Sequence, residues 1–357
     1  MDDSIIAAGL AGLGAAFFAS VALVSSKHIH GKHTLDSDVG VQKFHTAPTP
    51  RIGGIAIAAG FVVAWFLLAG EARQIWGLLG LAGIPALAFG LAEDITKRVQ
   101  VRLRLLATIF SGLMFAGLSG YSITSVDIPG LDYLLGFPVI AFAFTAFAVG
   151  GVANSINLID GFHGLASGTL MVILLAFAVV GLRVGDPVLT GLSVTMLFVV
   201  SGFFLVNFPH GKLFLGDAGA YFAGYVVAVL AVMLPARNPE VSPWVSLLIL
   251  GYPVTETLVS IFRRLAKGGH SPGDPDSDHL HHVVHRGWAR KLAAGLHSSE
   301  AANAMTGVLI WALPVLSLLA VASSNLRTGQ SLLLLALNVG VYLLVYRAAD
   351  RAAKRAG

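Results

Sequence analysis

Apolar stretches of membrane-spanning length fill this chain, separated by polar breaks that alternate between charged and plain. About eleven runs can be marked, near 5–24, 52–70, 74–92, 105–120, 137–153, 164–182, 187–206, 218–235, 243–262, 304–323 and 329–346. An uninterrupted apolar run of about 18 residues or more reads as a transmembrane helix, because it must span a hydrocarbon core ~30 Å thick. The run 105–120 is among the shorter ones. The pattern predicts an all-α, polytopic integral membrane protein, a single domain over 1–357 with about 11 transmembrane helices. Its only long hydrophilic connection is 263–303. The first run has no basic residue ahead of it and no A-x-A-like cleavage site, which predicts a retained helix rather than a signal peptide.

The alternation also sets an orientation. With eleven spans, one side receives 25–51, 93–104, 154–163, 207–217, 263–303 and the stretch after Tyr346. Those segments hold nineteen of the 23 Lys and Arg residues, and Arg73, Arg183, Arg237 and Arg327 are the other four. The positive-inside rule makes the richer side cytoplasmic, with the N-terminus outside and the C-terminus inside. The acidic and histidine-bearing clusters fall on the same cytoplasmic segments, and the outer connections look short and plain.

Composition agrees with the membrane reading: 56% of residues are hydrophobic and 12% charged, against about 25% charged in soluble domains. Mean hydropathy is +0.79. With no cysteine, disulfide and thiolate chemistry are excluded. The net charge of +4 suits a surface facing anionic lipid. No separate basic domain exists to hold nucleic acid, so none is expected as a partner. No internal repeat is evident, which argues against an inverted-repeat transporter.

The polar clusters carry the candidate chemistry. In K-F-H-T-A-P-T-P-R-I-G-G (43–54), Lys43, His45 and Arg51 can hold phosphate oxygens at a helix start; a basic flank at the membrane boundary is the plainer reading. In G-L-A-E-D (90–94), Glu93 and Asp94 sit at a helix end, where carboxylates need a hydrated, cationic or metal-bearing site. Pairing with Lys97 and Arg98 is the alternative. In N-S-I-N-L-I-D-G-F-H-G (154–164), Asn154, Asn157, Asp160 and His163 recur every three residues. If helical, they line one face and should meet each other, a metal or a ligand. Asp217, in F-L-G-D-A-G, either caps the following helix or brings a carboxylate to the site. Glu256 is an intramembrane carboxylate with Arg263 and Arg264 two turns on. Last, 270–287 gathers five of the twelve histidines. His279, His281 and His282 suit a grip on phosphate groups; a Zn²⁺ site or a solvated loop are the rivals, and no thiolate accompanies them. Pro272, Gly273 and Pro275 predict an irregular lip there.

Taken together, K-F-H…P-R-I-G-G, G-L-A-E-D, N-S-I-N-L-I-D-G-F-H-G-L, F-L-G-D-A-G and H-L-H-H resemble, in order, the polyprenyl-phosphate N-acetylhexosamine-1-phosphate transferases. That family includes the phospho-MurNAc-pentapeptide translocase, and H-L-H-H is similar to its non-pentapeptide branch. The resemblance covers about 43 to 287. It implies a bacterial cytoplasmic (inner) membrane enzyme that joins undecaprenyl phosphate to a UDP-N-acetylhexosamine, releasing UMP and starting a cell-envelope polysaccharide. It also implies Mg²⁺, with Mn²⁺ as the alternative, held by Asn157 and Asp217. Asp94, Asp160 and Asp217 look like active-site carboxylates, and Glu93 matches a position proposed to deprotonate or orient the acceptor. Lys43, His45, Asn154, His163, His279, His281 and His282 look like substrate contacts. Membrane lipids are further partners, and a homodimer is a candidate assembly. Two positions depart from the commonest family pattern: Glu93 replaces the first Asp of an Asp-Asp pair, and His163 stands where many relatives have Asp. The main rival from another class is a transporter or lipid flippase, which would need polar access on both sides. The D-G-x-x-A-R-x(8)-G-x-x-x-D signature of CDP-dependent lipid transferases is missing.

Overall fold

The computed structural model describes residues 3–36, 48–267, 278–296 and 299–355. Lys43, His45, Pro272, Gly273 and Pro275 lie outside the described residues. The chain opens with α1 (Asp3–Ser25) and the short α2 (Lys27–Thr34), then a two-residue antiparallel pairing of β1 (Leu35–Asp36) with β2 (Thr49–Pro50). There follow α3 (Gly53–Leu67), α4 (Gly70–Thr96), α5 (Val101–Ser119), α6 (Pro129–Leu135), α7 (Pro138–Ile159), α8 (Leu165–Val184) and α9 (Pro187–Asn207). Next come α10 (Gly216–Arg237), α11 (Pro243–Ile249), α12 (Gly251–Lys267), α13 (Leu280–Val284), α14 (Arg290–Leu292), α15 (Ser299–Ser323) and α16 (Thr328–Lys354).

Local chemistry explains many of these boundaries. Proline occupies the first turn of α6, α7, α9 and α11, where its missing N–H costs nothing. Asp186 caps α9 by accepting from the N–H groups of Val188 and Leu189. Gly120 and Gly185 end α5 and α8 in left-handed conformations.

All eleven apolar runs are helical, but not all are simple spans. Among the described residues nine helices are long and apolar enough to cross a membrane: α1, α4, α5, α7, α8, α9, α10, α15 and α16. α3 is apolar but has only 15 residues. The expected span 243–262 is broken: α11 and α12 meet at an 80° bend. Pro253 explains the break, since it offers no N–H to the carbonyl four residues back. Beyond the bend, α12 is strongly amphipathic.

At the centre stands α10, buried along nearly its whole length against α3, α4, α7 and α8. Its packing brings the C-terminal ends of α4 and α7 beside its own N-terminus. The opposite end of the bundle is less plain than expected. There Arg237 donates to Asp186 (2.7 Å), Glu71 (2.5 Å) and the Tyr121 hydroxyl (2.6 Å), tying α4, α5, α9 and α10 together. Within the hydrophilic connection 263–303, the described residues from Leu280 form α13, a π-helical turn (His285–Ala289) and α14.

Candidate active site

The first three N–H groups of α10 organise the site. A helix start has no internal acceptors for these groups, and here two distant carboxylates supply them. Asp94, at the end of α4, accepts from the N–H of Asp217 through Oδ1 (2.8 Å) and from Ala218 through Oδ2 (2.9 Å). Asp160, immediately after α7, accepts from the N–H of Gly216. The helix dipole favours both charges at this end. Gly216 is required here: its φ is +72°, and a Cβ would lie 2.4 Å from the Arg51 carbonyl and 2.6 Å from Asp94 Oδ2.

Asp217 therefore does not cap its own helix. Its carboxylate is buried and faces three donors. Arg51 Nη2 lies 2.6 Å from Oδ1, Asn157 Nδ2 donates to the same oxygen at 3.1 Å, and Arg104 Nη1 sits against Oδ2. Oδ2 accepts no aligned hydrogen bond among the described residues. Arg51 also reaches Asp94, with Nε 3.6 Å from Oδ1. The backbone around Arg51 is clamped to the turn before α10: Phe214 N–H donates to the Pro50 carbonyl, and Gly53 and Gly54 donate to the carbonyls of Phe214 and Leu215. This explains why P-R-I-G-G and F-L-G-D occur as separate motifs yet form one structure.

Desolvation raises the Asp160 carboxyl to about 7, opposed by the charge of Arg51 and the Gly216 N–H. Glu93 takes neither of its expected partners. Its Oε2 accepts from the N–H of Val99 at 2.7 Å, while Lys97 Nζ donates to the Leu35 carbonyl.

The expected polar face 154–163 is only half realised. Asn154 and Asn157 lie one turn apart on α7, but the helix ends at Ile159. His163 turns away and hydrogen-bonds through Nδ1 to the Pro209 carbonyl (3.2 Å), close to Phe214. Asn207 holds the two loops together: its Oδ1 accepts from Gly164 N–H (2.8 Å) and its Nδ2 donates to the Leu213 carbonyl (2.7 Å).

The histidines pack beside the Asp160 turn. Ring centroids of His279 and His281 are 5.3 Å apart, and those of His281 and His282 are 4.3 Å apart. Phe162 contacts the rings of His281, His282 and His285. His281 Nε2 would be 3.0 Å from a Cβ on Gly161, so a side chain there would displace the ring. Burial, then the neighbouring histidines, push His281 far down, and burial with Arg290 pushes His285 down to about 4. Both rings are therefore neutral near pH 7.

Sequence reasoning missed Arg104 and Asn207. The signal for Arg104 was a cation just inside an apolar run, which requires a nearby acid. For Asn207 it was a lone amide between an apolar helix and F-P-H-G.

The glycosyl transferase family 4 profile matches residues 76–235, the segment carrying Asp94, Asn157, Asp160 and Asp217. Over 245 residues the chain is 30% identical to a probable undecaprenyl-phosphate N-acetylglucosaminyl 1-phosphate transferase of Bacillus subtilis (strain 168), covering 68% of this chain and 67% of that protein. The chain belongs to glycosyl transferase family 4. Two further relatives are similar over most of their length. The undecaprenyl-phosphate alpha-N-acetylglucosaminyl 1-phosphate transferase of Escherichia coli (strain K12) is 26% identical over 321 residues, covering 85% of this chain and 86% of the relative. Its counterpart from Yersinia pestis is 26% identical over 275 residues, covering 75% and 74%. Within this family 4 chain, no three His, Asp or Glu side chains among the described residues already converge as a metal cage. The acids around α10 instead face backbone N–H groups and the side chains of Arg51, Arg104 and Asn157.

Proposed function

We propose that the protein transfers an N-acetylhexosamine-1-phosphate from a UDP-sugar to undecaprenyl phosphate, at the cytoplasmic face of a bacterial inner membrane. The observation that carries this reading is Asp217 at the start of α10, flanked by Arg51, Arg104 and Asn157 and braced by Asp94. A phosphate oxygen of the acceptor attacks the sugar-proximal phosphorus of the donor. The bond from that phosphorus to the bridging oxygen breaks, and UMP leaves with that oxygen. A polyprenyl diphosphate sugar remains.

Bringing a phosphate and a diphosphate together requires cationic and dipolar compensation. Arg51, partly exposed, and Arg104 supply guanidinium donors that can turn from Asp217 to phosphate oxygens while staying beside it. Burying Asp94 and Asp160 against backbone N–H groups keeps Asp217 in place during that exchange. Glu93, at the rim, orients the acceptor phosphate. His279, His281 and His282 contact the donor, and His163 and Asn154 line the approach; Lys43 and His45 belong to the same substrate-binding set. The oxygen donors fit Mg²⁺, or Mn²⁺, held by Asp217 and Asn157 with Asp160 alongside. When bound, that ion would offset diphosphate charge as the leaving group departs.

Counting α3 and the bent α11–α12 pair as crossings gives eleven, and with the Lys/Arg bias of the connections this supports an N-terminus outside and a C-terminus inside. A transporter reading gains nothing from this geometry, because the functional groups gather at one end. The test is direct. Incubate the purified protein with undecaprenyl phosphate, Mg²⁺ and a panel of UDP-sugars, and quantify soluble nucleotide and lipid product. UMP is expected in equal amount to lipid-linked sugar phosphate; stoichiometric UDP would overturn the mechanism.

A further inference from the structure

A buried carboxylate on α12 lies outside this scheme. Glu256 lies on α12, beyond the bend, and is completely buried. Sequence spacing offers Arg263 and Arg264 as its partners, but Glu256 hydrogen-bonds elsewhere. Its Oε2 accepts from the Tyr342 hydroxyl of α16 at 2.8 Å. Its Oε1 lies 3.0 Å from His279 Nδ1, and both oxygens accept from the N–H of Leu280, at 3.2 and 3.3 Å. One carboxylate thus joins α12, α16 and the start of α13.

A buried carboxylate is costly unless its lone pairs are filled, and filling them here has a directional consequence. A carboxylate only accepts, so Nδ1 of His279 carries the proton it donates. Nε2 is then the nitrogen left for other work. The ring so fixed stacks on His281 at an interplanar angle of 19°. His281 in turn rests its Nε2 against Gly161, next to Asp160. Asp160 holds the Gly216 N–H at the start of α10. A continuous line of contacts therefore runs from Tyr342 through Glu256 and the histidines to the residues around Asp217.

We propose that Glu256, held by Tyr342, is a positioning residue that fixes the tautomer and placement of His279 and thereby seats the histidine cluster for the diphosphate of the donor. Glu256 does not touch substrate itself. The proposal rests on the reading of the histidines as donor contacts given above.

The experiment uses the full-length protein in detergent, with UDP-N-acetylglucosamine, undecaprenyl phosphate and Mg²⁺, and the variants E256A, E256Q, Y342F, H279A and E256A/H279A. E256A is expected to raise the KM for the UDP-sugar ~10-fold or more while the KM for undecaprenyl phosphate stays within about twofold. E256Q keeps an acceptor oxygen for His279 and is expected to recover most of that loss. Y342F, which removes one tether, falls between wild type and E256A. E256A/H279A is expected to be no worse than H279A alone, because the effect passes through the same ring. In ¹⁵N-histidine spectra, which do not depend on turnover, His279 is expected as the Nδ1–H tautomer and to lose that state in E256A. An equal rise in both KM values, multiplicative loss in the double variant, or an Nε2–H tautomer in the wild type would overturn the proposal. If the wild-type protein releases no UMP, the assigned reaction fails instead; if it does and E256A leaves the donor KM unchanged, only this proposal fails.

Discussion

Asp94 accepts the backbone N–H of Asp217 across 123 positions of sequence, at 2.8 Å, and its second oxygen takes the N–H of Ala218. The end of one helix thus caps the start of another, and the cap holds the carboxylate that faces Arg51, Arg104 and Asn157. Two acids that look equivalent in sequence do different work. Asp94 spends both oxygens on backbone, whereas Asp217 keeps its own for side chains and ligands.

Replacing Asp94 tests that division. Asp94→Asn keeps one acceptor but turns an NH₂ toward a backbone N–H. An unmet pair of this kind costs about 1–3 kcal/mol. Melting temperature and turnover should fall together, and an unchanged melting temperature would show that the cap is not needed.

Asp217→Asn should act differently. The α10 cap survives, but the charge opposite Arg51 and Arg104 is lost, and with it the ligand proposed for Mg²⁺. Turnover should drop on the order of 10²-fold or more, as when single electrostatic groups are removed from other active sites. Assays across a Mg²⁺ titration, normalised to folded protein, provide the check. Near-normal activity at every concentration would remove Asp217 from the metal site.

Gly216→Ala should be severe for two separate reasons. Its φ of +72° disfavours any L side chain, and the new methyl would press on the Arg51 carbonyl and Asp94 Oδ2 at 2.4 and 2.6 Å. Inactivity with a lowered melting temperature is expected. Gly151→Ala, on α7 where a Cβ would meet nothing within 4 Å, is the control expected to behave normally.

Acid should loosen the histidine segment. His285 hydrogen-bonds Thr306 at 3.0 Å, and burial lowers its pKa to about 4 from an ordinary 6.5. Between those values an unfolded chain takes up a proton that the folded chain refuses. The stability from His285 is therefore full above about 6.5 and is lost as pH falls toward 4. Thermal unfolding followed from pH 7.5 to 4.5 should show this slope, and His285→Gln should flatten it.

The sequence by itself determined the all-helical membrane architecture. Apolar length and the punctuation of proline, glycine and charge are local properties, and a bilayer leaves a chain of this composition little else to form. It also singled out Asp94, Asn157, Asp160 and Asp217 as candidates, because polar groups beside apolar runs need a partner. Which partner was beyond it. The partnership of Asp94 with α10, the turn of His163 toward Pro209, the role of Arg104 and the tethering of Glu256 to Tyr342 all join residues far apart in the chain. Local periodicity records which face of a helix is polar, but not which distant helix end that face will meet. Tertiary packing around α10 decided that, because the ends of α4 and α7 had to meet the unsatisfied N–H groups at its start.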